Sequence, residues 1–150
     1  MIREAGEADV AAVADAVEEL LVELGGSRPA RGEVEAEVRA IVEDPRAGLL
    51  LVAEEDGEIA GVLGASWQRA IHVPGRYATI QDLWVDAAQR GNGIGAQLVD
   101  EMVRLAGEQG VRRLEVGLPK ESFAAIRATE SFYLDNGFEH LGPRMRRLLA

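Results

Sequence analysis

Cysteine is absent from this 150-residue chain, which excludes disulfides, thiolate metal sites and a cysteine nucleophile. Histidine occurs twice, as His72 and His140, with no spaced pair, so no metal site is expected. The only lysine is Lys120, which no Gly precedes and no Ser or Thr follows, so a Walker phosphate loop is excluded. No Gly-x-Ser-x-Gly occurs, leaving a serine hydrolase without a motif. The apolar runs fall well short of the roughly 20 residues that cross a bilayer. The start Met1-Ile2-Arg3-Glu4 is charged at once, so no membrane partner is expected and the cytoplasm is the expected location.

Positive charge is also scarce. Sixteen Lys and Arg face 26 Asp and Glu, a net charge of −10. Phosphate backbones need a basic footprint, so a nucleic-acid partner is not expected. The acid is concentrated early, with twelve Asp and Glu through Asp44 against four Arg. Solvated helix faces account for such a run, and an acidic rim that gathers a cationic substrate is the sharper reading. What remains is an ordinary globular composition, 47% hydrophobic and 28% charged. At this length residues 1–150 fit one domain that buries roughly 70% of its unfolded surface.

Val10, Val13, Val17, Leu20, Leu21 and Leu24 recur at helical spacing and stop at Gly25-Gly26. Val34, Val38, Ile41 and Val42 repeat the pattern up to Asp44-Pro45, where the residue before proline leaves the helical region. Gly48 to Glu54 and Glu58 to Arg69 read as antiparallel strands joined at Asp56-Gly57, and Tyr77 to Val85 as a third. Gly93 to Glu108 reads as a helix, Val111 to Leu118 as a strand, Ser122 to Asn136 as a helix, and Phe138 to Leu149 as two short strands around Gly142-Pro143. The expected architecture is mixed α/β (α+β), a largely antiparallel sheet of about seven strands flanked by about four helices.

The informative segment is Asp82-Leu83-Trp84-Val85-Asp86-Ala87-Ala88-Gln89-Arg90-Gly91-Asn92-Gly93-Ile94-Gly95-Ala96, a strand, a loop and a glycine-laden helix start. Each glycine inside a helix costs about 1 kcal/mol against alanine, so something must approach that backbone closely. The free N–H groups of a first turn suit an anion, Arg90 adds a permanent charge, and a diphosphate is the natural occupant. A dinucleotide loop requires Gly-x-Gly-x-x-Gly, and the spacing of Gly91, Gly93 and Gly95 does not match it.

Arg90, Gly93 and Gly95 after an apolar strand resemble the acetyl-CoA motif of the GNAT N-acetyltransferases, Arg/Gln-x-x-Gly-x-Gly/Ala. Ile2-Arg3-Glu4-Ala5 looks like that family's first strand. Phe132-Tyr133-Leu134-Asp135-Asn136-Gly137-Phe138 is similar to its second motif, Tyr-x-x-x-Gly-Phe behind an aromatic or aliphatic residue. The two motifs stand in the family's order and the resemblance spans essentially the whole chain. It implies the GNAT fold and transfer of an acetyl group from acetyl-CoA to a primary amine. The amine would belong to a small cationic acceptor such as a polyamine or aminoglycoside, or to an amino acid or peptide. A non-catalytic acyl-CoA-binding regulatory module is the alternative.

By the same resemblance the pantetheine arm pairs with the main chain of Leu83, Trp84 and Val85. The diphosphate lies on Arg90, Gly91, Asn92, Gly93, Ile94, Gly95 and Ala96, and Tyr133 protonates the departing thiolate. A phenol suits that step because its reference pKa of about 10 lies near that of a thiol. An alkylammonium is only about one part in 10³ neutral at pH 7, so a base is useful. Asp82 is the one carboxylate on the central strand, and Glu115 resembles the base of a branch that acetylates ribosomal-protein N-termini, although its distance from Tyr133 in sequence is longer than there. Where the family has an asparagine about seven residues before the tyrosine, this chain has Ile126. Family members are often dimeric, so a homodimer is a further expectation.

Overall fold

The computed structural model describes residues 1–149. Five strands form one sheet in the order β1 (Ile2–Glu4), β2 (Gly48–Glu55), β3 (Glu58–Ala70), β4 (Val73–Val85) and β5 (Leu114–Val116), antiparallel except for the parallel β4–β5 pair. Helices α1 (Val10–Leu24) and α2 (Arg31–Glu43) cover one face. Helix α3 (Ile94–Glu108) packs on the other, and α4 (Ile126–Asp135) adds Tyr133 to that side of the core.

Strand β2 shows why this arrangement follows from the sequence. Leu51 and Ala53 pack with Leu63, Ile80, Ile94, Leu98 and Met102 towards α3, while Leu50 and Val52 pack with Val62, Trp84, Val10, Val13 and Val38 towards α1 and α2. Both faces are covered, so the strand reads as a continuous apolar run rather than an alternation. Gly61 lets α3 come close, since a Cβ there would stand 3.0 Å from both Ile94 Cγ2 and Leu98 Cδ1. The β2–β3 turn places Asp56 at φ 51° and Gly57 at φ 82°, the two left-handed residues that a tight primed hairpin demands. Gly25, at φ 72°, ends α1 by donating to Leu21 and Val22 carbonyls at 3.1 and 3.2 Å.

Several boundaries differ from the sequence reading, β4 among them, since it begins at Val73 rather than at Tyr77. Residues 138–149 form no strand, so the described sheet has five strands instead of about seven. Leu148 breaks the even spacing of Leu141, Met145 and Leu149, Pro143 lacks an N–H, and all four apolar side chains are exposed. Strand β5 is confined to Leu114–Val116, followed by Gly117, against which the Arg144 side chain lies. Helix α4 begins at Ile126 rather than at Ser122, behind a turn that includes Phe123 N–H donating to Lys120 C=O at 2.9 Å.

Candidate active site

The centre of the site is the point where β4 loses one neighbour. Residues Ala78, Ile80 and, between them, Thr79 pair with β5 at Leu114, Val116 and Glu115. Among the described residues no strand continues along that edge beyond Ile80. A register shift between Gly64 and Ala65 sets Gly64 opposite Asp82 and Ala65 opposite Ile80, leaving Gln81 as an extra residue. Such a bulge bends a strand and re-aims its side chains.

The ladder fixes which backbone groups face the vacant edge. Asp86 N–H donates to Ala60 C=O at 2.9 Å, so the pair Gly61–Val85 is a non-hydrogen-bonded one, and by alternation so is Leu63–Leu83. The N–H and C=O groups of Leu83 and Val85 therefore point away from β3, with Val85 C=O accepting from Arg90 Nε at 3.0 Å, while those of Trp84 point to Val62 on β3.

The chain then turns through Ala87–Gln89, with Asp86 accepting from Ala88 N–H at 3.2 Å, into Arg90 and the glycines. Gly91 at φ 85° and Gly93 at φ 82° both take the left-handed conformation, and Gly93 is the residue that caps α3. No side chain caps this helix, and its first intrahelical bond is Gln97 N–H to Gly93 C=O at 3.0 Å. The N–H groups of Ile94, Gly95 and Ala96 are thus left without helical partners at the positive end of the helix dipole. Asn92 is engaged by its own loop, its Nδ2 donating to Gln89 Oε1 at 3.4 Å.

The glycines divide the work differently from the sequence reading, which placed Gly93 inside the helix and had the ligand approach Gly95. A Cβ on Gly95 would stand 3.1 and 3.2 Å from Cε1 and Cζ of Phe132. What comes close there is the α4 ring, not open space. Phe132 is the residue the sequence reading left without a role. Its position next to Tyr133 within the second motif was the available clue.

Tyr133 sits behind this contact, 7% exposed, with its ring edge-on to Phe132 at 5.2 Å and to Phe138 at 5.3 Å. Burial pushes its phenol up to about 12. It belongs to the apolar cluster that also holds Ile94 and Leu98, and Leu83 and Val85 of the open stretch of β4 pack against that same cluster.

Arg90 does not lie free beside the glycines. Its Nε donates to Val85 C=O at 3.0 Å and its Nη2 to Glu23 Oε1 at 2.5 Å, which ties the loop to the last turn of α1. Sequence order hid this contact, since the partners are 67 residues apart.

The opposite face of β4 carries the acid–base candidates. Asp82 is half-buried across from Gly64, whose missing side chain leaves room there, a Cβ at that position standing 3.9 Å from Asp82 Oδ2. Burial raises the Asp82 pKa above the usual carboxylate range, and no charged neighbour offsets it. Glu115 is paired with Arg113 at 2.7 Å. Between them lie polar side chains that bond to one another, Thr79 Oγ1 donating to Gln68 Oε1 and Gln81 Nε2 to Ser66 Oγ at 3.0 Å. Trp84 faces α1 and α2 and is 8% exposed, with its Nε1–H buried and without a partner among the described residues. Its side chain is core, while its backbone lies in the ladder. Among the described residues no three His, Asp or Glu side chains gather as metal ligands. No described helix is long and apolar enough to cross a membrane.

Comparison with known proteins bears on this arrangement. Residues 14–134 match the model of the acetyltransferase (GNAT) family. No curated protein sequence matches the chain significantly. Among solved structures, a possible acetyltransferase from Clostridium difficile 630 superposes with a TM-score of 0.83 at 20% identity, covering 100% of this chain and 97% of that one. A predicted acetyltransferase from Clostridium acetobutylicum, solved with acetyl-CoA, gives 0.78 at 17% identity over 99% and 95%. The aminoglycoside 6'-N-acetyltransferase AAC(6')-IG of Acinetobacter haemolyticus gives 0.80 at 13% identity over 100% and 98%. A fold shared end to end and a family match over most of the length agree. The chain belongs to the GNAT acetyltransferase family.

Proposed function

We propose that this protein transfers an acetyl group from acetyl-CoA to a primary amine, with both substrates bound together. The observation that carries the reading is the open stretch of β4. Outward-facing main-chain groups at Leu83 and Val85 run directly into a helix start with free N–H groups at Ile94, Gly95 and Ala96. The first would pair with the amides of a pantetheine arm as an added strand does. The second would hold a diphosphate. Acetyl-CoA supplies the activated thioester.

Asp82 would take the proton from the attacking ammonium. Burial raises its pKa, which makes it a stronger base than a solvated carboxylate, and with no ion-pair partner it keeps its charge available. Glu115 is already neutralised by Arg113, so Asp82 is the preferred base. Tyr133 would return a proton to the leaving sulfur. Its phenol, with a pKa of about 12, stays protonated at any working pH. A thiolate formed in the same apolar surroundings is raised in parallel, so the transfer remains close to level. The acceptor class follows from charge, since a net −10 and an unpaired Asp82 favour a cation. The exposed Gln81 and the half-buried Ser66 and Gln68, with the buried Thr79 bonded behind them, favour one rich in hydroxyl or amino groups, such as an aminoglycoside or polyamine.

The test is thiol release from acetyl-CoA across polyamines, aminoglycosides, amino acids and peptides, with calorimetric titration of acetyl-CoA alongside. Turnover with a cationic amine is the expected result. Tight binding without turnover on any amine would replace the enzyme with an acyl-CoA-binding regulatory module.

A further inference from the structure

The cation that the helix start presents to a diphosphate is already in use. Arg90 reaches across to Glu23, which stands in the last turn of α1, just before Gly25. A carboxylate there meets the negative end of the helix dipole, and that turn contains no basic residue of its own. Arg90 therefore relieves Glu23, and Glu23 in turn holds Arg90. The same guanidinium also occupies Val85 C=O, one of the outward-facing groups on the open stretch of β4. Both side chains of the pair are partly exposed, at 47% for Arg90 and 36% for Glu23, so nothing seals the contact against a competing anion.

We propose that Glu23 is a positioning residue that competes with the donor's diphosphate for Arg90 and so sets the affinity for acetyl-CoA. The inference rests on the donor reading given above. When a diphosphate settles on the first turn of α3, Arg90 exchanges one carboxylate for a phosphate, and Glu23 is left unpaired beside the new negative charge. Both effects oppose binding. Their size is that of a partly exposed ion pair, a factor of about two to five.

The experiment is titration calorimetry on wild type and Glu23→Gln, each with acetyl-CoA and with acetyl-pantetheine, which lacks the diphosphate. Arg90→Ala and the double variant complete the cycle. Glu23→Gln should bind acetyl-CoA about two- to fivefold tighter and acetyl-pantetheine no differently. The gain should shrink in the Arg90→Ala background, where the competition for the guanidinium is gone and only the repulsion between Glu23 and the diphosphate remains. A purely structural role for the pair would change melting temperature without separating the two donors. Unchanged or weaker acetyl-CoA binding by Glu23→Gln, with wild type binding normally, overturns this proposal and leaves the donor reading intact. An equal gain for both donors overturns it too. No binding by wild type overturns both.

Discussion

The middle of β4 and its C-terminal end belong to one strand and behave as two materials. From Ala78 to Ile80 it is flanked by β3 and β5, its side chains are buried, and its backbone bonds are made within the protein. From Leu83 to Val85 it keeps β3 alone, and every second residue turns its main chain away from β3. Between the two lies the bulge at Gln81, next to Asp82. The difference shows how a sheet can supply both rigidity and a binding edge: the inner half holds register while the outer half stays unpaired for a ligand. An unpaired edge is a liability unless short or covered. Here it is three residues long and ends in a loop that Arg90 ties back to Val85.

The largest expected effect on donor binding is at the helix start that terminates the open half. Gly93→Val places a β-branched residue at φ 82° and should weaken acetyl-CoA binding by more than about 100-fold, because it crowds the free N–H groups and distorts the cap. Gly110→Val carries the same strain at φ 76°, at the far end of α3 with open space around it. It should lose comparable melting temperature yet bind acetyl-CoA normally, which calorimetry on both variants would reveal.

Asp82→Asn comes next, with an expected drop of about 10³ in kcat/KM and little change in donor affinity. The acid limb of the pH–rate profile, along which activity rises as Asp82 loses its proton, should disappear. Stability should move the other way. The folded-state pKa of Asp82 is raised, so the folded protein holds that proton more tightly than the unfolded chain and loses stability as pH climbs through the raised pKa. The asparagine variant should therefore melt higher than wild type at pH 7. Tyr133→Phe should lower kcat by about 10² with acetyl-CoA affinity unchanged. Ultraviolet titration of the wild type should show a phenol ionising near pH 12 that the variant lacks. Smallest is Glu115→Gln on the paired half, since Arg113 already neutralises that carboxylate. A change below about threefold in kcat/KM is expected. A large loss there would move the base from Asp82 to β5.

Much of this contrast was legible in the residues, and the rest depended on distance. Helices α1 and α2 announced themselves through valine and leucine spacing and through Gly25 and Pro45, because those cues are local. Asp82 stood out as the one carboxylate on the central strand, but its lack of a partner depends on β3, where Gly64 lies opposite. Gly95 was recognisable as a place of close approach, yet the approaching atoms belong to Phe132, far along the chain. Arg90 read as a free charge because Glu23 precedes it by 67 residues. The C-terminal stretch misled for a different reason. Phe138 to Leu149 read as two short strands around Gly142-Pro143, but Leu141, Met145, Leu148 and Leu149 all stay exposed, so no burial holds them in a sheet.

The measurement that bears most directly on the two-ended strand is amide hydrogen exchange at Leu83, Trp84 and Val85 with and without acetyl-CoA. The account predicts that saturating acetyl-CoA slows exchange at Leu83 and Val85, whose N–H groups face outward, and barely alters Trp84, which already bonds to β3. Acetyl-CoA bound in solution with Leu83 and Val85 exchanging as before would contradict it.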